Sequence, residues 1–296
     1  MGSRAVVLGG GGPVGIAWES GLLAGLAQAG VDLGQAEFTL GTSAGSFVGA
    51  RLAMGAETAT LADPILGDAA SPVQSTDRGG RAPPDMSKMM RLMAAAQQGA
   101  KDAEAARVEL GAFALEAQTI DEDAFIRSFG KSFAGLPDDA WPERGFACTA
   151  VDVATGAFQL WTKDCGVGVV CAVASSCSVP GVYPPIAIRG RRWMDGGVRS
   201  PTNADLAAGH ARVVVISVMP RELTPGASLV RMFESLDAEV AALKAGGAEV
   251  TVVSPTAESQ AAMGGNLMDF RKRADAARAG LAQGAAMAEA LRGFWG

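Results

Sequence analysis

The stretch that decides the fold is Glu37-Phe38-Thr39-Leu40-Gly41-Thr42-Ser43-Ala44-Gly45. Its first four residues form a strand-like run, and a run with helical periodicity follows Ser43. Between the two runs lies the pattern G-x-S-x-G, which is typical of a nucleophile elbow. The turn of such an elbow is so tight that the residues around the serine must be small, as Gly41, Ala44 and Gly45 are. The pattern therefore predicts a Ser43 hydroxyl held clear of its neighbours at the N-terminus of a helix.

A glycine-rich segment, residues 9–15, precedes this elbow and reads GGGGPVG. It follows an apolar run and comes before a helical pattern, so we expect a tight turn between a strand and a helix. Glycines leave their N–H groups bare, which lets such a loop hold an anion at the helix N-terminus. Pro13 has no N–H, and we therefore expect Gly11 and Gly12 to be the donors.

An acid far along the chain completes the set of candidate catalytic residues. Asp195 stands between a strand-like run and the flexible pair Gly196-Gly197. His210, the single histidine of the chain, would also satisfy the order serine, acid, histidine. It lies near the start of a buried-strand pattern, however, whereas sites in an open parallel sheet lie beyond the carboxyl ends of the strands. We therefore expect His210 to be structural and a carboxylate to be the base.

With these segments in this order, the chain resembles the patatin-like phospholipases, a family of serine acyl hydrolases that use a Ser–Asp dyad. The resemblance rests on four blocks: G-G-G-x-x-G at 10–15, G-x-S-x-G at 41–45, ASSCSVP at 174–180 and D-G-G at 195–197. It implies that Ser43 is the nucleophile and Asp195 the base. The oxyanion-hole donors that we expect from it, with the helix start after the serine, are Gly10, Gly11, Gly12 and Ala44. The glycines that complete the motifs are Gly15, Gly41, Gly45, Gly196 and Gly197.

The family usually has Arg or Lys at the position of Val14. Without that cation, the oxyanion hole would depend on backbone N–H groups. The resemblance suggests phospholipids or lysophospholipids as substrates, whereas the residues alone indicate an ester with an apolar acyl part. Hydrolysis would proceed through an acyl-enzyme on Ser43. Acyl transfer to an alcohol other than water would use the same residues, and it stays open as an alternative.

Two other interpretations compete with a hydrolase. Residues 10–15 also match G-x-G-x-x-G, the dinucleotide-binding fingerprint, but that fingerprint needs an acid at the end of the second strand. The segment Gly41-Thr42-Ser43 stands there instead, which disfavours a dinucleotide site. The other alternative is a non-catalytic ligand-binding protein on the same fold, and the presence of both Ser43 and Asp195 argues against it.

Composition limits the function further. The 296-residue chain is 49% hydrophobic and 19% charged, and its net charge of −6 argues against a nucleic acid partner. No His, Cys or carboxylate cluster has metal-ligand spacing, so we expect neither a metal nor an organic cofactor. No signal-peptide pattern opens the chain, and its most apolar stretch, around residues 166–174, is too short to span a bilayer. We expect a cytoplasmic protein with a lipid or other acyl-ester substrate, and we leave transient contact with a membrane surface and the oligomeric state open.

The order of strand and helix patterns predicts one three-layer α/β/α domain over residues 1–296 with a mostly parallel central sheet. Over residues 55–135 the alternation fades, and Ser71-Pro72 and Pro83-Pro84 act as breakers, so we expect a helical insertion with the character of a lid. Four methionines of this insertion share a broad helical face, which we expect to be core, with a flexible lid over the acyl pocket as the alternative. They are Met86, Met89, Met90 and Met93.

Overall fold

The fold is built around one eight-stranded sheet, seen in a computed structural model that describes residues 2–68, 85–97, 102–219 and 227–296. The strands are β1 (Arg4–Leu8), β2 (Phe38–Gly41), β3 (Gly145–Asp152), β4 (Phe158–Trp161), β5 (Ile186–Ile188), β6 (Arg191–Asp195), β7 (Arg212–Ile216) and β8 (Glu249–Val253). Their order in the sheet is β5-β6-β3-β2-β1-β7-β8, and β4 pairs with part of β3.

Five strands, from β3 through β2, β1 and β7 to β8, run parallel, whereas β4, β5 and β6 are antiparallel to their neighbours. The last residue of β1, Leu8, is in register with Gly41 at the end of β2 and with Ile216 at the end of β7. The loops that follow these three strands therefore emerge together at the carboxyl ends of the parallel strands, which we call the carboxyl edge of the sheet. Open α/β sheets bind their ligands there.

The described helices are α1 (Gly12–Gln28), α2 (Ala44–Ala53), α3 (Asp63–Gly67), α4 (Met86–Ala96), α5 (Ala103–Glu116), α6 (Glu122–Phe129), α7 (Val169–Ser176), α8 (Ala227–Ala245), α9 (Ala257–Met263) and α10 (Arg273–Trp295). Within the described ranges, none of the helices combines the length and the apolar character that crossing a membrane requires.

Helices cover both faces of the sheet because successive strand residues point to opposite sides. Val6 and Leu8 of β1 share a buried cluster with Trp18 of α1, whereas Val7 belongs to the cluster that contains Leu236 of α8. The central strands are buried on both faces and rich in valine, as strands of a parallel sheet should be. The predicted three-layer α/β/α fold with a mostly parallel sheet is confirmed.

One predicted boundary is wrong in a way that matters for the site. The helix that we expected after the glycine-rich segment begins at Gly12, inside that segment. Pro13 lies in its first turn, where a missing N–H leaves no helical hydrogen bond unmade. The glycine-rich loop is therefore shorter than the sequence pattern indicates, and part of it is already the N-terminus of α1.

The expected insertion, residues 55–135, contains helices α3 to α6 where it is described. The predicted breakers lie outside the described residues. Of the four methionines, Met89 is buried, but Met86 and Met90 are 49% and 48% exposed. Helix α4 packs through Met89 and Ala96, and one turn of helix separates Met86 from Met90 on the side that faces outward. The expectation of a single buried methionine face is wrong.

Candidate active site

Ser43 lies between β2 and α2 in a backbone conformation that few residues other than glycine adopt. Its φ is 52° and its ψ is −117°. A positive φ in a residue with a Cβ stores strain, which persists only where the surroundings enforce it. The structure thus has the strained strand-to-helix turn that the G-x-S-x-G pattern predicts.

Close packing between α2 and β1 enforces this turn. A Cβ atom at Gly45 would lie 2.1 Å from the carbonyl oxygen of Leu8, so no larger residue fits there. The Gly45 N–H donates to the carbonyl oxygen of Gly9 at 3.0 Å. The first turn of α2 therefore rests directly on the end of β1 and on the start of the glycine-rich loop.

The C-terminal end of α7 holds the backbone of Ser43 from the other side. The Ser43 N–H donates to Ser176 Oγ at 3.0 Å. The Ser43 carbonyl oxygen accepts from Cys177 Sγ at 3.1 Å and from Ser46 Oγ at 2.6 Å. Because every one of these groups is buried, the elbow has little freedom to relax.

Asp195 is the last residue of β6, and its side chain is buried at 4% exposure. Its backbone N–H donates to the Ser178 carbonyl oxygen at 3.0 Å, so residues of the 174–180 block contact both Ser43 and Asp195. Oδ1 accepts from the Gly197 N–H at 2.7 Å. Oδ2 is buried and has no hydrogen-bond partner among the described residues.

Burial raises the pKa of Asp195 to about 7, although a hydrogen-bonding contribution from the Ser43 hydroxyl and the bond from the Gly197 N–H both act to lower it. The Ser43 hydroxyl is thus close enough to influence the carboxyl, yet it makes no hydrogen bond of ordinary geometry to Oδ2. A carboxyl with this pKa is partly ionised at neutral pH, as a general base should be.

The backbone N–H groups near Ser43 differ in whether they already donate a hydrogen bond within the protein. The Gly10 N–H donates to the Pro201 carbonyl oxygen at 2.8 Å, which is a correction to the expected set of oxyanion donors. The N–H groups of Gly11, Gly12 and Ala44 make no hydrogen bond to the described residues. These three are the donors left to bind an anionic oxygen.

The glycine-rich loop is packed tightly against Val218 and Leu267. A Cβ atom at Gly11 would lie 2.5 Å from Val218 Cγ1, and the Val14 N–H donates to the Leu267 carbonyl oxygen at 3.1 Å. Val14, in the first turn of α1, is fully buried in the core. The position at which the family usually has a cation is therefore part of the hydrophobic interior here.

A buried polar network connects the elbow to the loop that follows Asp195. Thr149 Oγ1 donates to Thr42 Oγ1 at 3.0 Å, and Asn203 Nδ2 reaches the same oxygen at 3.1 Å. Asn203 Nδ2 also contacts the Gly196 carbonyl oxygen at 3.3 Å. The network therefore connects Thr42, the residue before Ser43, to Gly196, the residue after Asp195, and helps to fix both backbones.

The motif glycines lie at the ends of strands and the starts of helices. Gly41 ends β2, Gly15 and Gly45 lie in the first turns of α1 and α2, and Gly196 and Gly197 begin the short 3₁₀ turn after Asp195.

The other titratable side chains considered do not join this group. His210 precedes β7, at the opposite edge of the sheet from Ile216, where its ring stacks on Phe38 and its Nδ1 lies 3.0 Å from the Ala207 carbonyl oxygen. Asp152 accepts the N–H groups of its own turn and pairs with Arg191. Across the described ranges, no group of three or more His, Cys, Asp or Glu side chains could hold a metal ion.

Sequence reasoning missed the residues that support the two candidate catalytic groups. Ser176 and Ser178 lie in the block at 174–180, so their participation could have been inferred from that motif. Thr149 and Asn203 belong to no recognised motif, and only the folded chain brings them under Thr42.

Comparison with known proteins places this arrangement in context. The family model of the patatin-like phospholipases matches residues 6–208, which include the glycine-rich loop, Ser43 and Asp195. No curated protein matches the chain. Among solved structures, VipD from Legionella pneumophila aligns over 98% of this chain and 67% of its own, with 12% sequence identity and a TM-score of 0.48.

Proposed function

Because the chain belongs to the patatin-like phospholipase family, we propose that Ser43 and Asp195 form a catalytic dyad that hydrolyses carboxylic esters of lipids. Membership of the family supports lipid acyl hydrolysis in general. The assignment of the dyad, its oxyanion donors and an ester with an apolar acyl chain is our proposal for this chain. We also propose that water, and not an alcohol, accepts the acyl group from the acyl-enzyme.

The observation that carries the proposal is the state of the Asp195 carboxyl. Oδ2 is buried without a partner while the Ser43 hydroxyl lies near enough to affect the carboxyl pKa, which is about 7. A free serine hydroxyl is a poor nucleophile and needs an adjacent base whose pKa approaches the working pH. A buried polar atom left unpaired is costly, and what sets Oδ2 apart from other such atoms is the nearby Ser43 hydroxyl, whose proton it could accept.

In the first half of the proposed reaction, Ser43 Oγ attacks the ester carbonyl carbon, and its proton passes to Asp195 Oδ2. The carbonyl oxygen becomes negatively charged and accepts hydrogen bonds from the N–H groups of Gly11, Gly12 and Ala44. The bond between the carbonyl carbon and the alcohol oxygen then breaks. Protonated Asp195 gives its proton to that oxygen, the alcohol leaves, and the acyl group remains on Ser43.

The second half repeats these steps with water as the nucleophile. Asp195 accepts a proton from the water as its oxygen attacks the acyl-enzyme carbonyl. The bond to Ser43 Oγ breaks, Oγ takes the proton back from Asp195, and the fatty acid is released. One carboxyl thus acts as base and then as acid in each half, and neither a histidine nor a cation is needed.

Hydrolysis of p-nitrophenyl esters of increasing acyl length tests the proposal. We expect turnover by the unmodified protein, an acyl adduct by intact mass, and neither of the two with Ser43→Ala. His210→Ala is the matched control and should retain most of the activity. Turnover that survives Ser43→Ala, or that is lost in His210→Ala from a folded protein, would show that the dyad is wrongly assigned.

A further inference from the structure

The large hydrophobic side chains that are exposed among the described residues lie on two neighbouring helices, α4 and α5. They are Met86, Met90, Val108 and Leu115. Scattered exposed hydrophobic residues are normal, but Met86 and Met90 lie one helical turn apart on α4, and such an adjacent pair indicates an interaction surface.

Helix α4 is joined directly to the candidate active site. Its buried residues Met89 and Ala96 pack in one cluster with Met194 and Val198, which flank the Asp195 loop. Gln97, the residue after the helix, is buried, and its Nε2 donates to the Gly197 carbonyl oxygen at 3.1 Å. At 1.5 Å per residue, Met90 lies only about 10 Å along the helix axis from this contact.

Helix α4 carries both apolar and basic side chains at its surface. Met86 and Met90 are one turn apart, and Lys88 and Arg91 are exposed on the same helix, although the Lys88 ammonium lies over the ring of Phe113 on α5, 5.6 Å from its centroid. Arg91 makes no ion pair with the described residues, and α4 is basic in a chain whose net charge is −6. By contrast, the exposed apolar residue Leu115 of α5 is next to Glu116.

We propose that α4 docks the protein on a phospholipid surface, with Met86 and Met90 inserted at the level of the headgroups and Arg91 contacting lipid phosphates. Helices that lie in a membrane interface have this combination of an apolar side and basic residues. Methionine is flexible and polarisable, so it adapts to a disordered lipid surface better than a rigid side chain does. The proposal rests on the proposed function, because a hydrolase of lipid esters must take its substrate from such a surface.

Binding of the Ser43→Ala protein to vesicles tests the docking surface without any need for catalysis. The probe is vesicles made of equal parts phosphatidylcholine and phosphatidylglycerol, and partitioning is measured by co-sedimentation. We expect Met86→Ser/Met90→Ser to partition at least about tenfold more weakly. Reversal of the unpaired basic charge, Arg91→Glu, should also weaken it by about tenfold, and the effect should shrink in high salt.

Two matched controls sharpen the test. Leu115→Ser removes a more exposed apolar side chain from the acidic helix α5, and Arg278→Glu reverses a charge on α10, so both should leave partitioning unchanged. In the background with Ser43 intact, Met86→Ser/Met90→Ser should hydrolyse a short soluble ester at the unmodified rate. That rate separates the two proposals, because a failed soluble-ester assay counts against the dyad and not against α4.

Three results would overturn the docking surface. One is that the Ser43→Ala protein does not partition onto the vesicles, and another is that Leu115→Ser weakens partitioning as much as the α4 variants. The third is a sedimentation mass that falls from dimer to monomer in Met86→Ser/Met90→Ser while vesicle binding is unchanged, which would assign the surface to a second copy of the chain.

Discussion

The two edges of the central sheet differ in how their polar groups are satisfied. At the amino edge, Arg4 pairs with Glu37 at 3.2 Å, and His210 stacks on Phe38 with its Nδ1 against a carbonyl oxygen. At the carboxyl edge, Asp195 Oδ2 has no partner among the described residues, and the same holds for three backbone N–H groups. Ligands of open α/β sheets bind beyond the carboxyl ends of the strands, so under our proposal the substrate meets these unpaired groups at the carboxyl edge.

The contrast also separates an ionisable residue that is conspicuous in the sequence from one that is placed for chemistry. His210 is the single histidine, but its Nδ1 lies against a backbone carbonyl oxygen and its ring stacks on Phe38. Asp195 is one of many acids, but burial gives it a pKa suited to proton transfer, and its carboxyl lies near Ser43. Catalytic potential here follows from the environment of a side chain more than from its type.

The largest expected effect comes from removal of either member of the dyad. Ser43→Ala should lower kcat/KM for a soluble ester by about 10⁴-fold or more, and Asp195→Asn by about 10³-fold or more, since residues that act as a unit fail together. His210→Ala, at the amino edge, should stay within about twofold. Steady-state kinetics beside circular dichroism, which checks folding, would measure this. Equal losses in Asp195→Asn and His210→Ala would erase the distinction between the two edges.

The next effect concerns the unpaired N–H groups. A Cβ at Gly11 would collide with Val218, so Gly11→Ala should move the loop and cost about 100-fold in kcat, close to the value of one oxyanion donor. Addition of Val218→Ala removes the nearer contact, at 2.5 Å, and should restore about tenfold of that loss. The control is Val218→Ala alone, which should retain most of the activity. A Gly11→Ala protein with unchanged kcat would remove this loop from the oxyanion hole.

The sequence was sufficient for the features that depend on short segments. The elbow at Ser43 and the turn after Asp195 are specified by small residues next to strand ends, and both occur where the motifs predict them. The sequence could not predict in the same way which backbone N–H groups already donate to another part of the protein. The Gly10 N–H is taken by the carbonyl oxygen of Pro201, and nothing in the glycine-rich segment indicates that distant partner.

The wrong expectation that the methionines of α4 form one buried face has the same origin. Periodicity indicates which methionines share a side of a helix, but it does not indicate which side meets the rest of the protein. Met89 became core because the helix packs on Met194 and Val198, two residues far along the chain. Met86 and Met90 consequently remain exposed, although a methionine stripe is ordinarily a sign of burial.

A third prediction concerns pH. Asp195 acts as a base only when it is ionised, and its pKa is about 7. The value of kcat/KM should therefore fall as the pH drops below about 7, by about tenfold per unit, and it should level off above that pH. Stopped assays between pH 5 and pH 9 would measure the profile.

Glu19 provides a matched control for this profile. It is a fully buried carboxyl on α1 whose pKa burial also raises, and both of its oxygens lack partners among the described residues. If Asp195 alone sets the profile, Glu19→Gln should leave the midpoint unchanged. A midpoint that shifts in Glu19→Gln would show that Glu19 on α1, and not Asp195 alone, sets the pH profile.

The smallest expected effect tests how the elbow is held. Ser176→Ala leaves the buried Ser43 N–H without its partner, which should lower the free energy of unfolding by about 1–3 kcal/mol. Because the strained φ of Ser43 depends on its surroundings, kcat should also fall by a few-fold. The control is the adjacent Ser175→Ala, since Ser175 Oγ accepts from Trp161 Nε1 and makes no hydrogen bond to Ser43. It should cost comparable stability by chemical denaturation with kcat intact. If both variants lower kcat equally, α7 supports the fold as a whole and has no particular role in positioning the nucleophile.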